Sequence, residues 1–126
     1  MSPPTLRALV IDDSRAMRMI LRNALTGMGY QVVEAVDGQQ GLDSLQAEGP
    51  FTVALVDWNM PVKTGYEFVK EARANDAFKP MKIVMVTTEI ETAQVVKALT
   101  AGADEYVMKP FTPEVLRDKL AMLLAA

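Results

Sequence analysis

Phe51-Thr52-Val53-Ala54-Leu55-Val56-Asp57-Trp58-Asn59-Met60-Pro61 sets an apolar, β-branched run against a single aspartate. Asn59-Met60-Pro61 then turns the chain. An apolar run without polar alternation reads as a strand buried on both faces, as in a parallel sheet. Asp57 then stands at the carboxyl end of a central strand, on the rim where open α/β sheets bind ligands. A lone aspartate is equally suited to capping the turn. Its role therefore depends on what else reaches that rim.

Upstream, residues 8–11 form a second apolar run that ends in Asp12-Asp13. Ser14 can cap the helix that follows, with Met17, Ile20, Leu21, Ala24, Leu25 and Met28 at helical spacing and Gly27 and Gly29 closing it. Residues 30–35 mix Val32 and Val33 with Gln31 and Glu34, the pattern of an edge strand. Asp37-Gly38-Gln39-Gln40 resembles a capping box for a helix through Leu42 and Leu45, ended by Gly49-Pro50.

Downstream, Gly65 precedes a helix bearing Phe68, Val69 and Ala72, and Phe78-Lys79-Pro80 reads as a loop. Residues 82–87 are a fourth strand ending at Thr87-Thr88. A helix over about residues 91–101 is closed by Gly102 as a left-handed cap. Residues 105–108 form a shorter fifth strand ending at Lys109-Pro110. Thr112-Pro113 opens the last helix, with Leu116, Leu120 and Leu123 turned inward.

Strand and helix thus alternate five times. The pattern predicts an α/β fold with right-handed crossovers: a five-stranded parallel sheet, helices on both faces. Five strands suit the flavodoxin-like order 2-1-3-4-5, which sets Asp12-Asp13 beside Asp57 at the switch point.

Composition narrows the chemistry. The 126 residues suit one domain, expected to span 1–126 without an output domain. A net charge of -3 and the lack of any basic run argue against nucleic-acid binding. With no cysteine and no histidine, thiolate and imidazole nucleophiles are excluded, as are Cys or His metal sites and a phosphohistidine-carrier role. Residues 1–5 lack a signal-peptide pattern, and no run approaches the ~20 apolar residues that span a bilayer. A cytoplasmic monomer that does not engage membranes is expected.

Neighbouring strands lie ~4.8 Å apart, so three carboxylates would share a small volume and repel one another unless a cation intervenes. An oxygen-only cluster favours a hard ion, with Mg²⁺ the natural candidate. Thr87 adds a hydroxyl and Lys109 an ammonium at the adjacent strand ends. A carboxylate nucleophile, a metal site, a donor and a cation together suit in-line phosphoryl transfer to Asp57. Trp58, directly after Asp57, is expected at the mouth of the site.

Asp12-Asp13, Asp57, Thr87 and Lys109-Pro110-Phe111 together resemble the signature of CheY-like response-regulator receiver domains of two-component signalling. The resemblance runs from the first strand to the last helix. It is closest to the single-domain chemotaxis group, through Asp57-Trp58-Asn59-Met60-Pro61 and Tyr106-Val107-Met108-Lys109-Pro110-Phe111-Thr112. One departure is Thr64, where the family usually carries an acid before Gly65.

The resemblance implies that Asp57 accepts a phosphoryl group from a sensor histidine kinase. Asp13, Asp57 and the carbonyl of Asn59 would ligate Mg²⁺, Asp12 acting through water, while Thr87 and Lys109 hold the phosphoryl oxygens. The Lys109-Pro110 bond would be cis. Tyr106 would be the switch aromatic on a partner face that includes Ile90, Val95, Lys119 and Met122. Asn59 and Glu89 would border the path of the hydrolytic water and tune phosphoryl lifetime.

The function expected is a phosphorylation-controlled switch rather than an enzyme, with self-phosphorylation from small phosphodonors and self-dephosphorylation. Its output would be a flagellar motor switch, with a phosphatase as a further partner. A phosphorelay shuttle or phosphate sink is the alternative. A phosphatase with an aspartyl-phosphate intermediate is disfavoured by Asn59, because such enzymes carry a second acid two residues after the nucleophile.

Overall fold

The computed structural model describes residues 6–88 and 92–124. In chain order the elements are β1 (Arg7–Ile11), α1 (Arg15–Gly27), β2 (Gln31–Ala35), α2 (Gly38–Glu48), β3 (Val53–Asp57), α3 (Gly65–Arg73), β4 (Lys82–Thr88), α4 (Thr92–Ala101), β5 (Glu105–Lys109) and α5 (Pro113–Leu124). Where a plain loop was expected before β4, residues Asp76–Phe78 wind into one 3-10 turn, capped by the Asn75 side chain. The strands are parallel, as the alternation predicts, and take the order that five such strands suit, β2-β1-β3-β4-β5.

Strand alternation divides the core into two layers. Leu9, Ile11, Ala54, Val56, Ile83 and Met85 meet Leu45 of α2, Phe68, Val69 and Ala72 of α3, and Ala98 of α4. Ala8, Val10, Val53, Leu55, Val84, Val86 and Val107 meet Leu21 and Leu25 of α1 and Leu116 and Leu120 of α5. Both faces of β1, β3 and β4 are therefore dry, which is why these strands read as continuous apolar runs. The inward stripe of α1 is narrower than its sequence pattern suggests. Ile20, on its flank, faces solvent.

Local capping follows side-chain chemistry. Ser14 accepts from Met17 N at the start of α1, and Thr112 accepts from Val115 N at the start of α5. Asp37 caps α2 by accepting from Gln40 N, but the expected reciprocal bond is displaced: Gln40 Oε1 accepts from Val36 N, one residue before the cap. The full capping box lies at α3, where Thr64 and Glu67 satisfy each other's backbone amides. Gly102 takes φ +126 after α4, the left-handed stop its position predicted.

Between β3 and α3, Val62 holds φ +68. A β-branched residue there crowds its own carbonyl, at a cost of roughly 1–2 kcal/mol. Its side chain is 77% exposed, so no packing compensates. Val62→Asn should raise the unfolding free energy by about 1 kcal/mol. Denaturant titration of the two proteins measures it, and an unchanged midpoint would contradict strain at this residue.

Candidate functional site

The register of the sheet assembles the site. Ile11 pairs with Val56, so the next residues, Asp12 and Asp57, end neighbouring strands at one level. Alternation turns both carboxylates to the α1/α5 side, like Val10 and Leu55 two residues earlier. Val107 lies level with Val86, which pairs with Asp57. Lys109, two residues beyond Val107, therefore projects on the same side. Its Nζ lies 3.2 Å from Asp57 Oδ1 and 3.5 Å from Asp12 Oδ2.

Carboxylate oxygens of Asp12, Asp13 and Asp57 all lie within 4.8 Å of one another. Asp12 is 1% exposed; its Oδ1 accepts from Ser14 N at 2.8 Å, while Oδ2 is buried without a hydrogen bond among the described residues. Asp57 is buried and Asp13 exposed. Burial alone would lower the Lys109 pKa, but the Asp57 and Asp12 carboxylates outweigh it and hold the ammonium above its ordinary 10.5.

Thr87 is buried one residue beyond the level of Asp57, on the Met85 side of β4, and its hydroxyl donates to the Thr88 carbonyl over 3.4 Å. The Lys109–Pro110 peptide is cis, as is Gly49–Pro50. Asn59 is exposed just past β3. Tyr106 is half-buried with Lys119 Nζ 5.0 Å from its ring centre, and Lys119 also pairs with Glu105 at 3.3 Å. Met122 is 72% exposed on α5.

Two expectations need correcting. Val95 is only 5% exposed, turned to the core by the helical phase of α4, and cannot belong to an exposed face; Val96 beside it is outward. Trp58 is buried rather than at the mouth, because alternation sends it to the opposite side from Asp57, where its ring meets Tyr66 at 5.9 Å. Ile90 and Glu89 lie outside the described residues.

Residues 8–121 match the family described as response regulator receiver domain. The chain belongs to that family. Chemotaxis protein CheY1 of Helicobacter pylori strain J99 is 44% identical over 120 residues, spanning 94% of this chain and 97% of that protein. The chemotaxis protein CheY homologue of Campylobacter jejuni is 45% identical over 120 residues, with 94% and 92% covered. Among solved structures, Vibrio cholerae chemotaxis protein CheY4 aligns at a TM-score of 0.89 and 36% identity, covering 96% of this chain and 100% of that one. This is therefore a CheY-like receiver domain, and no helix among its described residues is long and apolar enough to cross a membrane.

The receiver's acidic cluster suits a hard divalent cation. Its donors are all oxygens, and the buried Oδ2 of Asp12, met among the described residues only by the Lys109 ammonium at 3.5 Å and by no hydrogen bond, keeps lone pairs that a cation or its water would satisfy.

Three supports of this receiver site were not singled out from sequence. Gly65 lets α3 approach the strand end: a Cβ there would sit 2.3 Å from the Asp57 carbonyl oxygen. Arg18 donates through Nη1 to the Asp12 carbonyl at 2.7 Å. Its Nε binds Glu34 Oε1 at 3.0 Å, while Arg22 Nε holds Glu34 Oε2 at 2.6 Å. Thus β2 and α1 together fix the peptide that carries Asp12. The only sequence signal was helical spacing: Arg18 and Arg22 are four residues apart and share one face.

Arg18→Ala should weaken Mg²⁺ binding about tenfold, as loss of an outer support of a ligand does. Arg22→Ala, which leaves the Asp12 carbonyl bond intact, should change it far less. Titrating Mg²⁺ against Trp58 emission compares them, and equal effects would refute a positioning role for Arg18.

Because the folded pKa of Lys109 is raised, the stabilisation from its charge is complete below the unfolded value and is lost as pH rises through the folded one. In metal-free buffer the stability gap between wild type and Lys109→Gln should hold through neutral and mildly alkaline pH and close above 10.5. Denaturant melts across that range test it; a gap that persists in strong alkali would refute it.

Proposed function

We propose that this receiver is a phosphorylation-controlled switch in chemotaxis. The observation that carries it is one ammonium shared by two buried carboxylates beside a third, all at the carboxyl rim of the sheet. Asp57 is a nucleophile already ionised, so no general base is required. One of its oxygens forms the new bond to phosphorus as the bond from phosphorus to the donor's histidine nitrogen breaks, and the imidazole leaves with that electron pair. The Lys109 ammonium is in place to move from the carboxylate to a phosphoryl oxygen, a charge-assisted contact. Asp13, Asp57 and the Asn59 carbonyl would hold Mg²⁺, with Asp12 acting through water. When bound, the ion supplies charge that neutralises the transferring phosphoryl oxygens.

Thr87 would follow Lys109 to the phosphoryl group, making room for Tyr106 to turn inward. Tyr106, Lys119 and Met122 would then present a changed face to the output target. Three names among the relatives speak of chemotaxis proteins. That supports a sensor histidine kinase as donor and a flagellar motor switch as target. Asn59 and Glu89, both polar, would favour a short-lived phosphoryl group.

A small phosphodonor with Mg²⁺ should add one phosphoryl group, ~80 Da for HPO₃ by intact mass, to the wild type and none to Asp57→Ala. Uptake by Asp57→Ala would end the assignment of Asp57. Continuous release of phosphate from varied monoesters would favour a phosphatase instead.

A further inference from the structure

A groove of about 600 Å³ runs between α3 and α4, lined by Tyr66, Lys70, Arg73, Lys97 and Thr100. None of these residues belongs to the acidic cluster, and none lines the pocket around Tyr106 and Lys119. Lys70 from α3 and Lys97 from α4 both lie over the Tyr66 ring, with Nζ 5.3 and 4.7 Å from its centre. The two ammoniums are therefore no more than about 10 Å apart. Neither forms an ion pair with a carboxylate among the described residues, in a protein whose net charge is -3.

Arg73 beside them is fully engaged, bonded to Asp104, the Gly102 carbonyl and the Phe78 carbonyl. The negative face of the Tyr66 ring offsets part of the repulsion between the lysines, and Glu67, one turn before Lys70, attracts that ammonium without pairing with it. An anion between them would do so far better.

We propose that this groove docks an acidic segment of a protein partner, with two carboxylates bridging Lys70 and Lys97. Acidic side chains four residues apart on a helix have Cβ atoms roughly 5–6 Å apart. Their carboxylates can therefore reach both ammoniums at once, whereas a single small anion must choose or sit between. The carbon stems of the lysines and the Tyr66 ring supply an apolar floor for such a segment. Occupancy is reported internally, since Tyr66 touches Trp58 at 5.9 Å and Trp58 is the one tryptophan in the chain.

The probes are a short helical peptide with Glu pairs four residues apart and its Gln counterpart, titrated at low salt against Trp58 emission and by calorimetry. The acidic peptide should bind and the Gln peptide should not. Lys70→Gln/Lys97→Gln should weaken binding about tenfold or more. Lys82→Gln/Arg117→Gln, which removes the same charge elsewhere, should stay within about twofold of wild type.

Equal losses in the two double variants, no binding by the wild type, or full competition by inorganic tripolyphosphate would each overturn the proposal. The last outcome would mark a general anion patch. Phosphoryl uptake on Asp57 should be unchanged in Lys70→Gln/Lys97→Gln, and its loss would also overturn a partner-docking role. Failure of the wild type to take up phosphoryl groups would instead refute the switch, leaving the groove's peptide binding as measured.

Discussion

Three carboxylates whose oxygens lie within 4.8 Å of one another repel, and the rim of the sheet is built around that repulsion. At an effective dielectric near 20, a close pair costs on the order of 3 kcal/mol. The register of β1 and β3 makes the approach unavoidable, because the strand ends are level. One ammonium, carried in by β5, relieves part of it. Two negative charges remain over, which is the deficit a divalent ion fills. The sheet thus holds the acids in place through its backbone ladders and leaves the charge balance to whatever binds.

The same register separates neighbours along the chain into different duties. Asp57 faces the layer of α1 and α5, while Trp58 faces α3 and meets Tyr66. Gly65 brings the first turn of α3 against the Asp57 carbonyl, and its amide donates to the Trp58 carbonyl at 3.0 Å. A change of charge on Asp57 is therefore applied to backbone that is tied directly to α3.

Much of this was legible in the sequence, since burial on both faces of β1, β3 and β4 erases polar alternation and leaves apolar runs that end in chemistry-bearing residues. Parallel pairing followed from the alternation of strands and helices, the strand order from what five such strands suit, and the grouping of Asp12, Asp57 and Lys109 from that order. What sequence hid depends on helical phase and on tertiary hydrogen bonds. Val95 and Val96 are indistinguishable as letters, yet the phase of α4 buries one and exposes the other. The mouth position expected of Trp58 allowed for strand alternation but not for the cover that Tyr66 gives its ring on the far side. Arg18 reads as an ordinary surface cation until β2 supplies Glu34 and β1 supplies the Asp12 carbonyl. Thr64-Gly65-Tyr66-Glu67 did carry a visible capping-box pattern, while Asp37 to Gln40 resembled one more than it formed one.

The outer strand β2 is an edge that another chain could extend. Unpaired strand edges recruit other chains by backbone pairing, the first step toward aggregates. Here that edge is only five residues long and carries Gln31 and Glu34 exposed. Arg18 and Arg22 grip Glu34, and Arg22 also reaches the Val32 carbonyl at 3.3 Å. A second molecule seeking to extend the sheet would have to displace two guanidinium groups and bury a carboxylate. The clamp that steadies Asp12 therefore also blunts the edge against backbone pairing by a second chain.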